Sequence, residues 1–125
     1  MTKACAVLLT LLVLVSACSA PKEQQTPNTV KIGAFLSLTG ATSAYGISAA
    51  NAIKLATEEA NQNGGIDGKQ IELEIEDDKS NTQDVPGIVE HLIKEHKVHA
   101  LIAEPVSTRA MMAAPIAQQN KIVMI

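Results

Sequence analysis

The chain has 125 residues, a formal net charge of −3 and 46% apolar residues, which is the composition of one small globular domain. So small a net charge gives no indication of a nucleic acid or another strongly charged partner. Phe35 and Tyr45 are its only aromatic residues, so neither a base-stacking surface nor an aromatic-rich cofactor pocket is expected, and no cofactor is predicted.

Residues 1–17 have the pattern of an export signal. Lys3 supplies a positive charge, and the apolar run that follows is shorter than the roughly 20 residues needed to span a bilayer. The run ends in Val15-Ser16-Ala17-Cys18, which resembles the lipobox of bacterial lipoproteins. This resemblance implies cleavage before Cys18, lipidation of its thiol, and an exported protein anchored to a membrane in the periplasm or at the cell surface. The alternative is a plain secretory signal with an incidental cysteine.

The cysteine count and the next segment fit this interpretation. The only other cysteine, Cys5, would leave with the signal, so no disulfide is expected within the mature part of this chain. Residues 18–28 are polar, contain two prolines and show no apolar periodicity, which is typical of a flexible tether. Two or three acyl chains on Cys18 would make the anchor durable.

From Thr29 the pattern changes to alternating strands and helices. The apolar run 30–36 predicts a strand, and small apolar residues at helical spacing predict a helix over 47–62, ended by the glycines of Asn61-Gln62-Asn63-Gly64-Gly65. The predicted buried stripe of this helix is Ala49, Ala52, Ile53, Ala56 and Ala60. Strict alternation over 69–76 predicts an edge strand whose row of Glu72, Glu74 and Glu76 is interpreted as a solvated face, with no ligand set nearby.

The second half repeats the pattern. A second helix is predicted with Asp84 as its N-cap and Pro86 in its first turn, followed by a strand over 98–103. A third helix begins near Ser107, where Pro115 should kink it, and residues 122–125 start a fourth strand. The predicted apolar stripes are Val85, Ile88, Val89, Leu92 and Ile93 for the second helix, and Ala110, Met111, Ala114 and Ala117 for the third.

The order β-α-β-α-β-α-β indicates an α/β fold with a parallel sheet and helices on both faces. The last strand has no helix to cover it, so residues 29–125 are interpreted as a fragment of a larger lobe. Ligands of such sheets bind at the carboxyl ends of the strands, which are followed here by loops 37–46, 77–81 and 104–109. The first and third loops are rich in hydroxyls and precede helices, whose free N–H groups favour an anion such as a carboxylate.

The sequence lacks the common motifs of catalytic sites. The glycines at 33, 40 and 46 fit neither G-x-G-x-x-G nor a P-loop, and no G-x-S-x-G or C-x-x-C occurs. His91, His96 and His99 are interpreted as surface residues around the end of the second helix, because a spacing of five places the first two on different helix faces. Neither a metal site nor an enzymatic activity is predicted.

From Val30 to Ile125 the sequence resembles the type I periplasmic solute-binding proteins of branched-chain amino acid ABC transporters. The resemblance is carried by 32–40 with Tyr45-Gly46, by 61–69, and by Glu76-Asp77-Asp78. It implies the first part of an N-terminal lobe, in a two-lobed protein that closes on a small amino-acid-like solute and hands it to a permease. The alternatives are a ligand-sensing receptor of the same fold and an exported Rossmann-like enzyme.

The resemblance also implies candidate site residues. Ser107, flanked by Val106 and Thr108, would hold the ligand's α-carboxylate, although it could instead be a helix N-cap. Tyr45 would border the cleft, although it could instead pack on the first helix. The Asp77-Asp78 pair is expected to organise its own loop, and the acidic group for the α-ammonium would lie in a second lobe.

Ala103-Glu104-Pro105 replaces the glycine-led start that the third loop usually has in this family, and Glu104 puts a negative charge near the expected carboxylate pocket. Glu104 is expected to face solvent. If it pointed inward, its charge would oppose a carboxylate ligand and favour an amide, urea or cationic solute, so Glu104 is a candidate specificity residue.

Overall fold

Strands and helices alternate along residues 29–125, the part of the chain that the computed structural model describes. The predicted export signal over 1–17, the lipidation site Cys18 and the tether over 18–28 lie outside the described residues. The elements are β1 (Thr29–Leu36), α1 (Ser43–Gln62), β2 (Gln70–Asp77), α2 (Val85–Lys94), β3 (Ala100–Ile102), α3 (Ser107–Gln119) and β4 (Val123–Met124). Among these helices none is both long and apolar enough to cross a membrane.

The strands form one parallel sheet in the order β2-β1-β3-β4. β1 pairs with β2 along its whole length, and β2 is an edge strand, as its alternating pattern predicts. The register places Ala34 beside Ile75 and Phe35 beside Glu76. Because neighbours in register point to the same side, the apolar residues of β2 share a face with Ala34 and its glutamates share a face with Phe35.

Helices cover both faces of the sheet, as predicted. On one face β1 packs against α1, and on the other it packs against α2 and α3. The first core contains Ala34, Leu36 and Ala50, and the second contains Phe35, Val85, Val89, Leu92, Val98, Leu101, Ala113 and Ala117. The predicted α/β class with a parallel sheet is therefore confirmed.

The predicted stripes of two helices are correct only in part, since Ala49 and Ile53 of α1 and Ala117 of α3 pack against the core as predicted. α1 begins at Ser43 rather than at residue 47 and buries Gly46 and Ala50, while Ala52 and Ala56 are exposed. α3 buries Arg109 with Ala113 and Ala117, while Met111 and Ala114 are exposed. Both helices carry alanines on several sides, so the spacing of small residues alone does not determine which side faces the sheet.

The remaining helix predictions had mixed outcomes. α2 buries Val85, Val89 and Leu92, in agreement with its predicted stripe, and it has Pro86 in its first turn. Asp84 precedes α2 but makes no side-chain capping bond. α3 continues past Pro115 to its end at Gln119.

The turn between α1 and β2 joins the helix end to the edge strand. Gly64 and Gly65 have φ of 98° and 75°, a left-handed conformation that glycine adopts without steric cost. The Asn61 side chain lies against Ile71, donating to its carbonyl at 2.9 Å and accepting from its amide at 2.7 Å. The segment 61–69, which carries part of the family resemblance, is therefore a structural junction that fixes where β2 begins.

Candidate functional site

The three loops that follow β1, β2 and β3 meet at the carboxyl end of the sheet, as predicted. The amide of Leu38 donates to Asp77 Oδ1 at 2.8 Å, which joins the first loop to the second. The amide of Ser37 donates to Glu104 Oε2 at 2.7 Å, which joins the first loop to the third. β1 lies between β2 and β3, so its loop lies beside both of the others.

A buried ionic network lies beneath these loops. Arg109 Nη2 is 2.9 Å from Glu104 Oε1, and Arg109 Nε is 3.4 Å from Asp78 Oδ2. Both carboxylate side chains are fully buried, and the guanidinium side chain is 6% exposed. Ser37 Oγ lies 2.7 Å from Asp78 Oδ1 and 3.1 Å from Glu104 Oε1, so it contacts both acids. One cation therefore faces two carboxylates, with a serine hydroxyl between them.

The expectation that Glu104 faces solvent is wrong. Its side chain is held inside by Arg109, five residues later on the first turn of α3, and by the amide of Ser37. An ion pair and hydrogen bonds of this kind offset the cost of burying a carboxylate. Because its two oxygens are already bonded within the protein, Glu104 affects the site through the position of the third loop rather than as an open charge.

Asp77 and Asp78 organise the second loop, in agreement with the sequence prediction. Asp77 Oδ1 accepts from the amides of Leu38, Thr39 and Lys79 at 2.8–3.1 Å, and Oδ2 accepts from the Thr39 hydroxyl at 2.7 Å. Partial burial opposes ionisation of Asp77, but the bonds from Thr39, Lys79 and Leu38 together outweigh it and lower the pKa of this carboxyl.

The predicted ligand-binding residues lie at the first turns of two helices. Ser107 and Thr108 are exposed at the start of α3, and Tyr45 is exposed at the start of α1. The two helix starts are joined, because Arg109 Nη2 donates to the Thr42 hydroxyl at 2.6 Å. At the start of α3 the amides of Arg109 and Ala110 donate to the Val106 carbonyl, while those of Ser107 and Thr108 come before the first helical hydrogen bond, so this turn suits an anionic group.

Ser107 is not the N-cap of α3. Val106 has that position, with extended φ and ψ of −85° and 111°, and no side chain caps the helix. Val106 contributes its carbonyl, which accepts from the amides of Arg109 and Ala110. The Ser107 hydroxyl is therefore not committed to capping α3.

Ser37, Thr42 and Arg109 lie within the predicted loops, but the sequence pattern did not single them out as parts of this site. One signal was present: Arg109 lies in the first turn of a helix, where the helix dipole disfavours a cation. A cation at such a position, in a helix of mostly small residues, indicates a nearby buried acid. The contact partners of Ser37 and Thr42 depend on how the loops meet and have no such signal in the sequence.

The chain thus forms an α/β lobe with a parallel sheet covered on both faces, in which the joined loops at the carboxyl ends are the expected place for a ligand. The profile of the periplasmic binding protein family matches residues 29–125. The chain belongs to this family. No curated protein matches it.

Solved structures of the type I periplasmic binding fold resemble the chain over its described part. The branched-chain amino acid transporter substrate binding protein LivJ from Streptococcus pneumoniae, in complex with isoleucine, is 33% identical, with a TM-score of 0.75 over 77% of this chain and 28% of that one. The leucine binding protein LivK from Thermotoga maritima is 32% identical, with a TM-score of 0.69 over 76% and 26%.

A third structure shows a different ligand. It is a solute binding protein of an ABC transporter from Rhodopseudomonas palustris in complex with 3,4-dihydroxybenzoic acid, 29% identical, with a TM-score of 0.71 over 78% of this chain and 26% of that one. The chain thus spans about a quarter of the length of these structures. The resemblance to branched-chain amino acid binding proteins is confirmed at the level of family and fold.

Proposed function

We propose that this chain is part of an extracytoplasmic solute-binding lipoprotein, anchored through Cys18, that captures a small amino-acid-like ligand between two lobes. It would deliver that ligand to the permease of an ABC transporter. The observation that carries the proposal is the exposed first turn of α3, with Ser107 and Thr108, placed at the carboxyl end of a sheet of this family. The proposal assigns the protein binding rather than catalysis.

The ligand group that this turn suits best is a carboxylate. The ligands in the S. pneumoniae and R. palustris structures, isoleucine and 3,4-dihydroxybenzoic acid, differ in their other groups but share a carboxylate. Free amides at a helix start and an uncommitted serine hydroxyl provide donors for such a group. The pairing of Glu104 with Arg109 weakens the objection to an anionic ligand at this position, because the Glu104 carboxylate is not an open charge.

Replacing Ser107 by alanine should weaken ligand binding by about 1–3 kcal/mol, because a hydrogen bond to a charged group is lost. The change is measured by isothermal titration calorimetry on the intact protein, with isoleucine as the first probe. Gln118→Ala, at the opposite end of the same helix and exposed, is the matched control and should leave affinity unchanged. Unchanged affinity in Ser107→Ala would remove Ser107 from the site.

A thermal-shift screen tests the ligand class directly. An amino acid present at about 100 times its dissociation constant should stabilise the intact protein by about 2.7 kcal/mol, which raises the melting temperature by several degrees. Stabilisation by branched-chain or related amino acids supports the proposal. Stabilisation only by amides, urea or polyamines would contradict the carboxylate assignment, and Glu104→Gln would then be the first variant to test.

A further inference from the structure

A carboxylate and two imidazoles come together where α2 packs beside the edge strand β2. Glu76 Oε1 is 2.7 Å from His91 Nδ1 and 3.9 Å from His96 Nε2. One ligand atom from each of these three residues lies within 4.8 Å of the others. None of the three residues belongs to the carboxyl-end loops described above.

The turn after α2 brings the two histidines together. α2 ends at Lys94, and the chain reverses at Lys97, which has a left-handed φ of 57°. The amide of His96 donates back to the carbonyl of His91 at 3.3 Å, and the two ring centroids are 4.9 Å apart. The prediction that a spacing of five separates these side chains is therefore wrong, because His96 follows the helix instead of continuing it.

The acidic row of β2 is also more than a solvated face. Each of its glutamates has a basic neighbour on the same side of the sheet. Glu72 pairs with Lys31 at 3.1 Å, Glu74 lies 3.5 Å from His96 Nδ1, and Glu76 contacts His91. The row thus has two partners, His91 and His96, of the type that binds metals.

We infer that Glu76, His91 and His96 form a binding site for a divalent transition metal of the Zn²⁺ type. Imidazole and carboxylate together suit Zn²⁺, which takes three protein ligands and leaves a fourth position for water or another group. Ligand atoms about 2 Å from a tetrahedral metal lie about 3.3 Å from one another. The Glu76 distances of 2.7 and 3.9 Å bracket that value, and the two imidazole ligand atoms lie within 4.8 Å of each other, so rotation of these partly exposed side chains would complete the site.

Glu74 adds a second feature of metal sites. It faces His96 Nδ1 while His96 Nε2 faces Glu76, so the two ring nitrogens contact different carboxylates. A carboxylate behind a metal-binding imidazole fixes the orientation and tautomer of the ring. The same arrangement argues against Ca²⁺ or Mg²⁺, which prefer oxygen ligands alone. The inference goes beyond the proposed function and does not depend on it.

The test is a titration of the tag-free intact protein with ZnCl₂, followed through the side-chain nitrogen signals of its histidines by NMR. The Glu76 carboxylate raises the pKa of His91, so the titration is run at about pH 8, where imidazole is neutral. We expect one equivalent of Zn²⁺ to shift the signals of His91 and His96 and to leave those of His99 in place. Shifts of all three rings alike, or of none, would overturn the inference.

Variants give an independent measurement by calorimetry. His91→Ala, His96→Ala and Glu76→Gln should each lower Zn²⁺ affinity at least tenfold, and Glu74→Gln should lower it about tenfold through the orientation of His96. The matched control is His99→Asn, which keeps an acceptor for the amide of Lys31 and should bind Zn²⁺ as the wild type does. Wild-type affinity in both His91→Ala and His96→Ala would show that the cluster is only a surface ion pair.

Discussion

Replacing Arg109 by methionine is expected to lower the free energy of unfolding by about 3–5 kcal/mol. Methionine keeps much of the side-chain length but removes the only cation that contacts Asp78 and Glu104 within residues 29–125. Both carboxylates are fully buried, so neither can be solvated in place of the lost partner. The loss is measured by urea denaturation of the intact protein, from the shift of the unfolding midpoint at constant slope.

Two further variants test whether the loss of stability comes from the unpaired buried carboxylates. Lys121→Met removes an exposed cation near the end of α3 and should change stability by less than about 0.5 kcal/mol. Adding Glu104→Gln to Arg109→Met should recover part of the loss, because one buried charge is removed with its partner. A loss below about 1 kcal/mol for Arg109→Met would contradict the prediction and place this network in the range of exposed ion pairs.

Replacing Gly46 by alanine is expected to destabilise the protein by about 1–3 kcal/mol or more, because α1 lies directly against the end of β1 there. An added Cβ would be 2.5 Å from the carbonyl carbon of Ser37, closer still to its oxygen, and 2.9 Å from its amide nitrogen. These are backbone atoms, so the helix itself would have to move. The effect is measured by thermal and urea unfolding.

Gly87→Ala is the matched control for this helix substitution. It lies within α2 and would place its Cβ in open space. Alanine is the better helix former, so Gly87→Ala should stabilise by about 0.5–1 kcal/mol. The two glycine variants are therefore expected to have opposite signs, and stabilisation by both would disprove the close contact between α1 and Ser37.

The parts of the fold that could be predicted from the sequence are those with a strong apolar period. In α2, the spacing of large apolar residues predicted which face is buried, and the early proline predicted where the helix begins. The strict alternation of apolar and acidic residues in β2 predicted its position at the edge of the sheet. In both elements one face differs sharply in hydrophobicity from the other, so the side that is buried follows from the pattern alone.

The remaining features depend on contacts between distant residues. The buried side of α1 is set by the close approach of Gly46 to Ser37, which the spacing of its alanines does not reveal. The inward position of Glu104 depends on Arg109 and on the amide of a residue in another loop. Likewise the meeting of His91 and His96 depends on the left-handed turn at Lys97. A local pattern could not have predicted any of the three.

Ser37 joins the three loops through buried hydrogen bonds to Asp78 and Glu104. The region therefore contains two sets of residues, a buried set that holds the loops together and an exposed set at the helix starts. The buried set is interdependent, so a single substitution there disturbs every loop at once. Tyr45, Ser107 and Thr108 lie outside it on exposed helix starts, where substitutions usually change stability by no more than about 0.5 kcal/mol. If Tyr45, Ser107 and Thr108 contact the ligand as proposed, selection could alter ligand preference there while the scaffold stays intact, which would let one lobe architecture serve chemically different solutes.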